Sequence, residues 1–189
     1  MSKKLTVLFF WVLTVHLTYG QLNKQIDRSQ KEAILQSPFK SAKGVINEIS
    51  SQKKVRPEYL GIIDSLRKEF PNDTIMLVED YDFICLGCPA DYIRILFRSV
   101  LTSLSRDYET RTYKRETNLF FDKQCYSDIS ELKTEIRKNG YWMKNPKRYG
   151  TENCFDGGHT FYTVIYPSDK ILSMYMRCWI NEELRKTYE

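Results

Sequence analysis

Hydrophobic and polar positions divide the chain into segments of different character. Lys3 and Lys4 precede an uncharged apolar run from Leu5 to Leu17, and Thr18-Tyr19-Gly20 follows. A basic start, an apolar centre and small residues at the end make the layout of a secretory signal peptide. The run is 13 residues long, short of the roughly 20 that a membrane span needs. Cleavage before Gln21 is therefore expected, with no stable span left afterwards. No Cys stands near that junction, so a lipid anchor has no support. Residues 21–56 are polar, with scattered apolar positions at Ile26, Ile34, Leu35, Phe39, Val45, Ile46 and Ile49. They suggest one or two short helices or a loosely packed leader.

From residue 57 the pattern becomes regular. Pro57 suits the first turn of a helix, Leu60, Ile63, Leu66 and Phe70 recur at helical spacing, and Pro71-Asn72-Asp73 ends the run. Thr74 to Ile84 is rich in β-formers and predicts a strand. Asp91 to Leu104 supports two periods. At 3.6, Ile93, Leu96, Phe97, Val100, Leu101 and Leu104 share a helix face; at 2, Ile93, Ile95 and Phe97 oppose Arg94, Leu96 and Arg98. Tyr108 to Glu116 alternates as an exposed strand would. A capped helix is expected from Ser127-Asp128 to Asn139-Gly140, with Ile129, Leu132 and Ile136 on one stripe. Thr160 to Tyr166 and Ile171 to Trp179 flank Pro167-Ser168-Asp169-Lys170 and predict a β-hairpin, and a short helix follows from Asn181. The expected architecture is α+β: residues 1–20 a signal peptide, 21–56 a polar segment, and 57–189 a single domain with an antiparallel sheet, a C-terminal hairpin and a few packed helices.

Composition adds limits. The 189 residues include 29 Lys or Arg against 24 Asp or Glu. Loss of residues 1–20 removes two Lys, leaving 169 residues at a formal charge of +3. These charges are interspersed, whereas nucleic-acid binders concentrate Lys and Arg on one face. A nucleic-acid partner is not expected; an unknown protein or a small ligand is.

The five Cys are Cys85, Cys88, Cys125, Cys154 and Cys178. An exported protein meets an oxidising compartment, where paired thiols form disulfides. Cys85 and Cys88 are close enough to bridge across Gly87, and Cys154 and Cys178 flank the hairpin, which leaves Cys125 over. The alternative is chemical: Cys85-Leu86-Gly87-Cys88 at a helix N-terminus would be a redox dithiol, because free N–H groups and the helix dipole favour a thiolate. The C-terminal hairpin and helix echo a thioredoxin-like domain. No Trp precedes the first Cys, however, and Gly158-His159-Thr160 stands where that family carries a cis-Pro. Zinc would need a second close Cys pair, so no metal and no cofactor are expected.

His159 is the one His left after signal cleavage, which makes it, with Asp156 and Cys154, a possible polar site near neutral pH. Asp156-Gly157-Gly158 equally serves as a bend into the hairpin. Tyr141, Trp142, Phe155, Phe161, Tyr162, Tyr166, Tyr175 and Trp179 could line a ligand groove or touch a carbohydrate, or form a sheet core. No complete catalytic constellation is visible, so a non-enzymatic binding role leads over the dithiol oxidoreductase.

The order of short motifs resembles an uncharacterised group of exported bacterial proteins, similar in signal style to those of the Bacteroidota. Lys138-Asn139-Gly140-Tyr141-Trp142, then Asp156-Gly157, then Arg177-Cys178-Trp179 match a helix ending in an aromatic-Trp pair, an Asp-Gly turn, and a hairpin ending in Arg-x-Trp. Tyr92-Ile93-Arg94-Ile95-Leu96 looks like an earlier strand of that group, which implies β structure over Asp91 to Leu101. The Ser-Pro that commonly follows the Arg-Trp pair is absent here. The group brings no known activity.

Overall fold

Leu22, Ile26, Ala33 and Ile34 are buried at spacings of four, seven and eight residues, which places them on one stripe of a helix. That helix, α1, spans Lys3–Gln36. The computed structural model describes residues 3–37, 46, 56–81, 90, 92–98, 100–107, 109–118 and 158–177. A second helix, α2, spans Pro57–Glu69, with Pro57 at its first position and Tyr59, Leu60 and Ile63 buried. Six strands follow: β1 Ile75–Tyr81, β2 Tyr92–Phe97, β3 Val100–Arg106, β4 Tyr113–Asn118, β5 His159–Ile165 and β6 Ile171–Arg177. They form one sheet in the order β4-β3-β2-β1-β5-β6, antiparallel at every pairing. The fold is α+β, and it ends its described portion in the expected C-terminal hairpin.

Residues 21–36 are neither a run of short helices nor a loosely packed leader. They continue α1 and add four side chains to the core of the sheet. Apolar periodicity concealed this because Ser29 and Gln30 are also buried on that stripe, while Leu35 is 56% exposed.

The ambiguous stretch from Asp91 to Leu104 resolves at period 2. Ile93, Ile95 and Phe97 point toward the helices and are buried; the single long helix does not exist, and a hairpin of β2 and β3 takes its place. Two-residue hairpin turns require positive φ, and Arg98 adopts φ 55° there. Its guanidinium donates two hydrogen bonds to Asp73, at 3.0 and 2.7 Å, and lies 4.3 Å from the ring centre of Phe70. The turn is thus tied to the chain leaving α2. β4 starts later than expected, because Asp107 caps the preceding turn by accepting from the backbone N–H groups of Glu109 and Thr110 at 3.0 and 3.1 Å. Lys114, Arg115 and Glu116 are exposed on β4, an edge strand, where charge discourages pairing with another chain. The expected helix at 127–139 and the one from Asn181 lie outside the described residues.

Arg111, exposed in the turn before β4, holds φ 59°. A left-handed non-glycine residue costs about 1–2 kcal/mol, and glycine costs about 0.5–1 kcal/mol in chain entropy. Arg111→Gly is expected to raise stability by about 0.5 kcal/mol, seen as a higher urea midpoint. A lower midpoint would mean that the Arg111 side chain contributes a contact of its own.

Candidate functional site

Alternation in β1 splits its residues between two faces. Ile75, Leu77, Glu79 and Tyr81 face the helices; Met76, Val78 and Asp80 face the other way. Both faces carry polar clusters, and the clusters differ in kind.

On the helix side the carboxylate of Glu79 is fully buried. Arg56, just before α2 and 1% exposed, donates through Nε to Glu79 at 2.8 Å. Its terminal nitrogens donate to Asn23 at 3.0 Å, to Gln30 at 2.8 Å, to Asp27 and, at 3.4 Å, again to Glu79. A guanidinium has five N–H donors, and these five contacts use them all. The Tyr59 hydroxyl donates to Glu79, as does that of Tyr81 at 3.0 Å and the Gln30 amide. Burial alone would raise the Glu79 pKa, but the Arg56 charge and the converging donors outweigh it, and the net direction is down. Burial, with the Glu79 charge nearby, pushes both phenols well up. The cluster joins α1, the start of α2 and β1 in the buried interior, with Asn23 and Asp27 at its partly exposed rim.

The opposite face holds a cleft. Across β1 to β4, Asp80, Tyr92, Arg94, Ser103, Ser105 and Glu116 line a cavity of about 330 Å³, within the range of small-molecule sites. Register explains the grouping. Asp80 pairs with Tyr92, which pairs with Ser105; Arg94 pairs with Ser103, which pairs with Glu116, so all six project from the same face of neighbouring strands. Arg94 donates to Asp80, and Thr160 of β5 donates to the same carboxylate at 2.7 Å. Tyr92 is 62% exposed, the most exposed large hydrophobic side chain of the described residues. Ile93 and Leu104 also border the cavity, yet their side chains are buried on the helix side, so the side chains presented to the cleft are polar or aromatic.

A second cavity, of about 410 Å³, lies between the Gln21 region of α1, the end of α2 and the β5–β6 turn. Its charged groups are engaged with partners: Lys68 with Asp64 at 2.6 Å, Arg67 with Asp169, and Asp73 with Arg98. Arg67 thereby holds the β5–β6 turn to α2, and Asp73 holds the β2–β3 turn to the chain just after it.

Of the residues singled out in the sequence, Cys85, Cys88, Cys125, Cys154, Cys178 and Asp156 lie outside the described residues. The dithiol reading relied on a helix opening at Pro89, and residues 92–97 are strand instead; β1 and β2, which the Cys-Leu-Gly-Cys segment connects, are antiparallel neighbours. His159 is described and is 3% exposed. Its Nδ1 hydrogen-bonds the Tyr175 hydroxyl, and the two rings stack 5.6 Å apart at 25°. Phe161 packs against Tyr175 and Tyr81, 5.2 and 5.9 Å between centres, so these hairpin aromatics build core. Among the described residues, no group of three or more His, Cys, Asp or Glu could hold a metal ion, and no helix is long and apolar enough to cross a membrane. The cleft residues went unnoticed in the sequence; the period-2 reading of Tyr92 to Phe97, which sets Arg94 on the face away from Ile93 and Ile95, was the signal that could have found them.

Comparison with models of protein families, with curated proteins and with solved structures returned no match to this chain.

Proposed function

We propose that this chain is an exported, non-enzymatic binding domain, braced by disulfides, that takes a small ligand into the cleft formed by Asp80, Tyr92, Arg94, Ser103, Ser105 and Glu116. The cleft carries the proposal: it gathers charged, hydroxyl and aromatic groups on the sheet face turned away from the helices. Binding is favoured over hydrolysis because Asp80 is already engaged by Arg94 and Thr160, which leaves Glu116 without a second unengaged carboxylate among the described lining residues, and glycoside hydrolysis needs a pair.

Export is supported by the position of the expected cleavage. Gly20 and Gln21 are exposed, space around Gly20 is open, and the first described side chain in the core is Leu22. Cutting there would sever nothing buried among the described side chains. The resemblance of its short motifs to those of exported bacterial proteins points the same way. The periplasm or the cell exterior is the proposed location, with Cys85–Cys88 and Cys154–Cys178 the proposed disulfides.

The test is amide chemical-shift mapping of the chain that begins at Gln21, titrated with a mixed panel of neutral disaccharides, spermidine and citrate. The expected result is a cluster of shifted amides at residues 92–94, 103–105 and 116. Shifts elsewhere, or none, would overturn the proposal. Intact-mass analysis of the protein recovered from the culture medium or periplasm is expected to find it beginning at Gln21; a chain that keeps residues 1–20 would overturn the export reading.

A further inference from the structure

The chemistry of the cleft narrows what it can hold. We infer that its ligand is a neutral, hydroxyl-rich molecule with a flat C–H face, a saccharide, gripped by Glu116, Ser103, Ser105 and the Asp80–Arg94 pair and stacked on Tyr92. This rests on the cleft being the binding site.

Three other classes fit less well. An acidic ligand would need cations, and Arg94 is the single cation lining the cleft among the described residues, already bonded to Asp80. An apolar ligand would need apolar walls, but the side chains of Ile93 and Leu104 are buried on the helix side, and every other described lining residue carries a hydroxyl or a charge. A polyamine would need unspent carboxylates in number; Asp80 is bonded by both Arg94 and Thr160, which leaves Glu116 as the one unengaged carboxylate among the described residues that line the cleft.

What remains suits a sugar. Sugar hydroxyls both donate and accept, and the cleft offers both roles: carboxylate oxygens accept only, guanidinium N–H groups donate only, and the serine hydroxyls do either. Bonds to charged groups are the stronger kind, so Glu116 and the Asp80–Arg94 pair can replace the water lost by a buried hydroxyl. Tyr92 supplies what hydrogen bonds cannot, a rigid ring with a polar tip, left 62% exposed at the start of β2 against the cavity wall. An exposed tyrosine ring beside a polar cavity can stack on an apolar partner, and the C–H face of a pyranose is one.

The test is titration of the chain beginning at Gln21 with maltose, cellobiose and N,N′-diacetylchitobiose, and separately with spermidine and citrate, followed by amide shifts and calorimetry. At least one disaccharide is expected to shift the amides of residues 92–94 and 103–105. Tyr92→Ala should weaken that binding about tenfold, equivalent to about 1.4 kcal/mol, Tyr92→Phe should keep most of it, and Glu116→Gln should weaken it several-fold. Glu109→Gln, in the turn after β3 and outside the cleft, should change nothing. Tyr92 is exposed, so its variants are expected to fold, which the unchanged remainder of the amide spectrum verifies. Spermidine or citrate shifting the cleft while no disaccharide does would overturn the saccharide and leave the binding domain standing. No cleft shift with any probe would overturn both.

Discussion

Arg56→Met is expected to destabilise the protein by about 3–5 kcal/mol, because it strands a carboxylate in the interior. Glu79 is fully buried, and without Arg56 it keeps two phenols and one amide as donors but loses its counter-charge. The reverse change, Glu79→Leu, leaves the guanidinium with Asp27, Asn23 and Gln30 on α1 and costs less. Arg56→Met combined with Glu79→Leu should recover part of the loss of the first variant, since a well-packed apolar pair avoids the desolvation of both charges. Urea unfolding of the three proteins checks this. A double variant as unstable as the sum of the singles would show that the surrounding hydroxyls, not the ion pair, set the energetics.

The same cluster shapes the response to pH. Glu79 has a folded pKa below its ordinary value, so its contribution is fully present above the usual carboxylate range and is lost as pH falls through the lowered value. Tyr59 and Tyr81 have folded values well above the ordinary 10.0. Their contribution is complete below pH 10 and fades as the solution becomes more alkaline and the unfolded phenols ionise. In the double variant the acid limb should flatten, because its titrating group is gone, while the alkaline limb should persist: burial is the largest cause of the raised phenol values, and the loss of the Glu79 charge is offset by that of Arg56.

The second large effect concerns α1. Ile26 is fully buried, one turn from both Leu22 and Gln30, and Ile26→Ala should cost about 2–5 kcal/mol. Ile26→Asp should prevent folding, since a carboxylate there has no counter-charge of its own and Arg56 has no donor to spare. Chains begun at Gln21 and at Lys31 make a sharper comparison. The first retains every core side chain described on α1 and should keep the melting temperature of the longer chain. The second lacks Leu22, Asn23, Ile26, Asp27 and Gln30, and should fail to fold by circular dichroism. A stable chain from Lys31 would mean that α1 only decorates the sheet.

That helix marks where sequence reading stopped short. The strands of the C-terminal hairpin were legible because Phe161 to Ile165 and Ile171 to Tyr175 are rich in β-formers and flank a Pro-Ser-Asp turn, where Asp169 takes positive φ. Helix α2 was legible from Pro57 and its spacing. The core stripe of α1 was not, because two of its members are polar: Ser29 donates to the backbone of Ile171 at 3.3 Å, and Gln30 bonds Glu79, Thr163 and Arg56. Buried polar residues count against a stripe in any hydrophobicity pattern, and only their partners, 49 and 133 residues away for Glu79 and Thr163, reveal why they are there. The cleft was hidden for a related reason. Asp80, Arg94, Ser103 and Glu116 are ordinary surface residues in the sequence, and register alone makes them neighbours.

The strand order also sets a timetable. From β1 the chain walks outward through β2, β3 and β4 by neighbours in sequence, whereas on its other edge β1 pairs with β5, and Asp80 meets Thr160 across 80 positions. Loop-closure entropy must be met before such a distant pairing returns any energy. The four-strand meander can therefore form first, leaving one long edge of β1 with unpaired hydrogen-bonding groups until the C-terminal hairpin arrives. That open edge is the point at which a folding chain is most exposed to pairing with another molecule, and a late-docking β5 both completes the sheet and closes the edge.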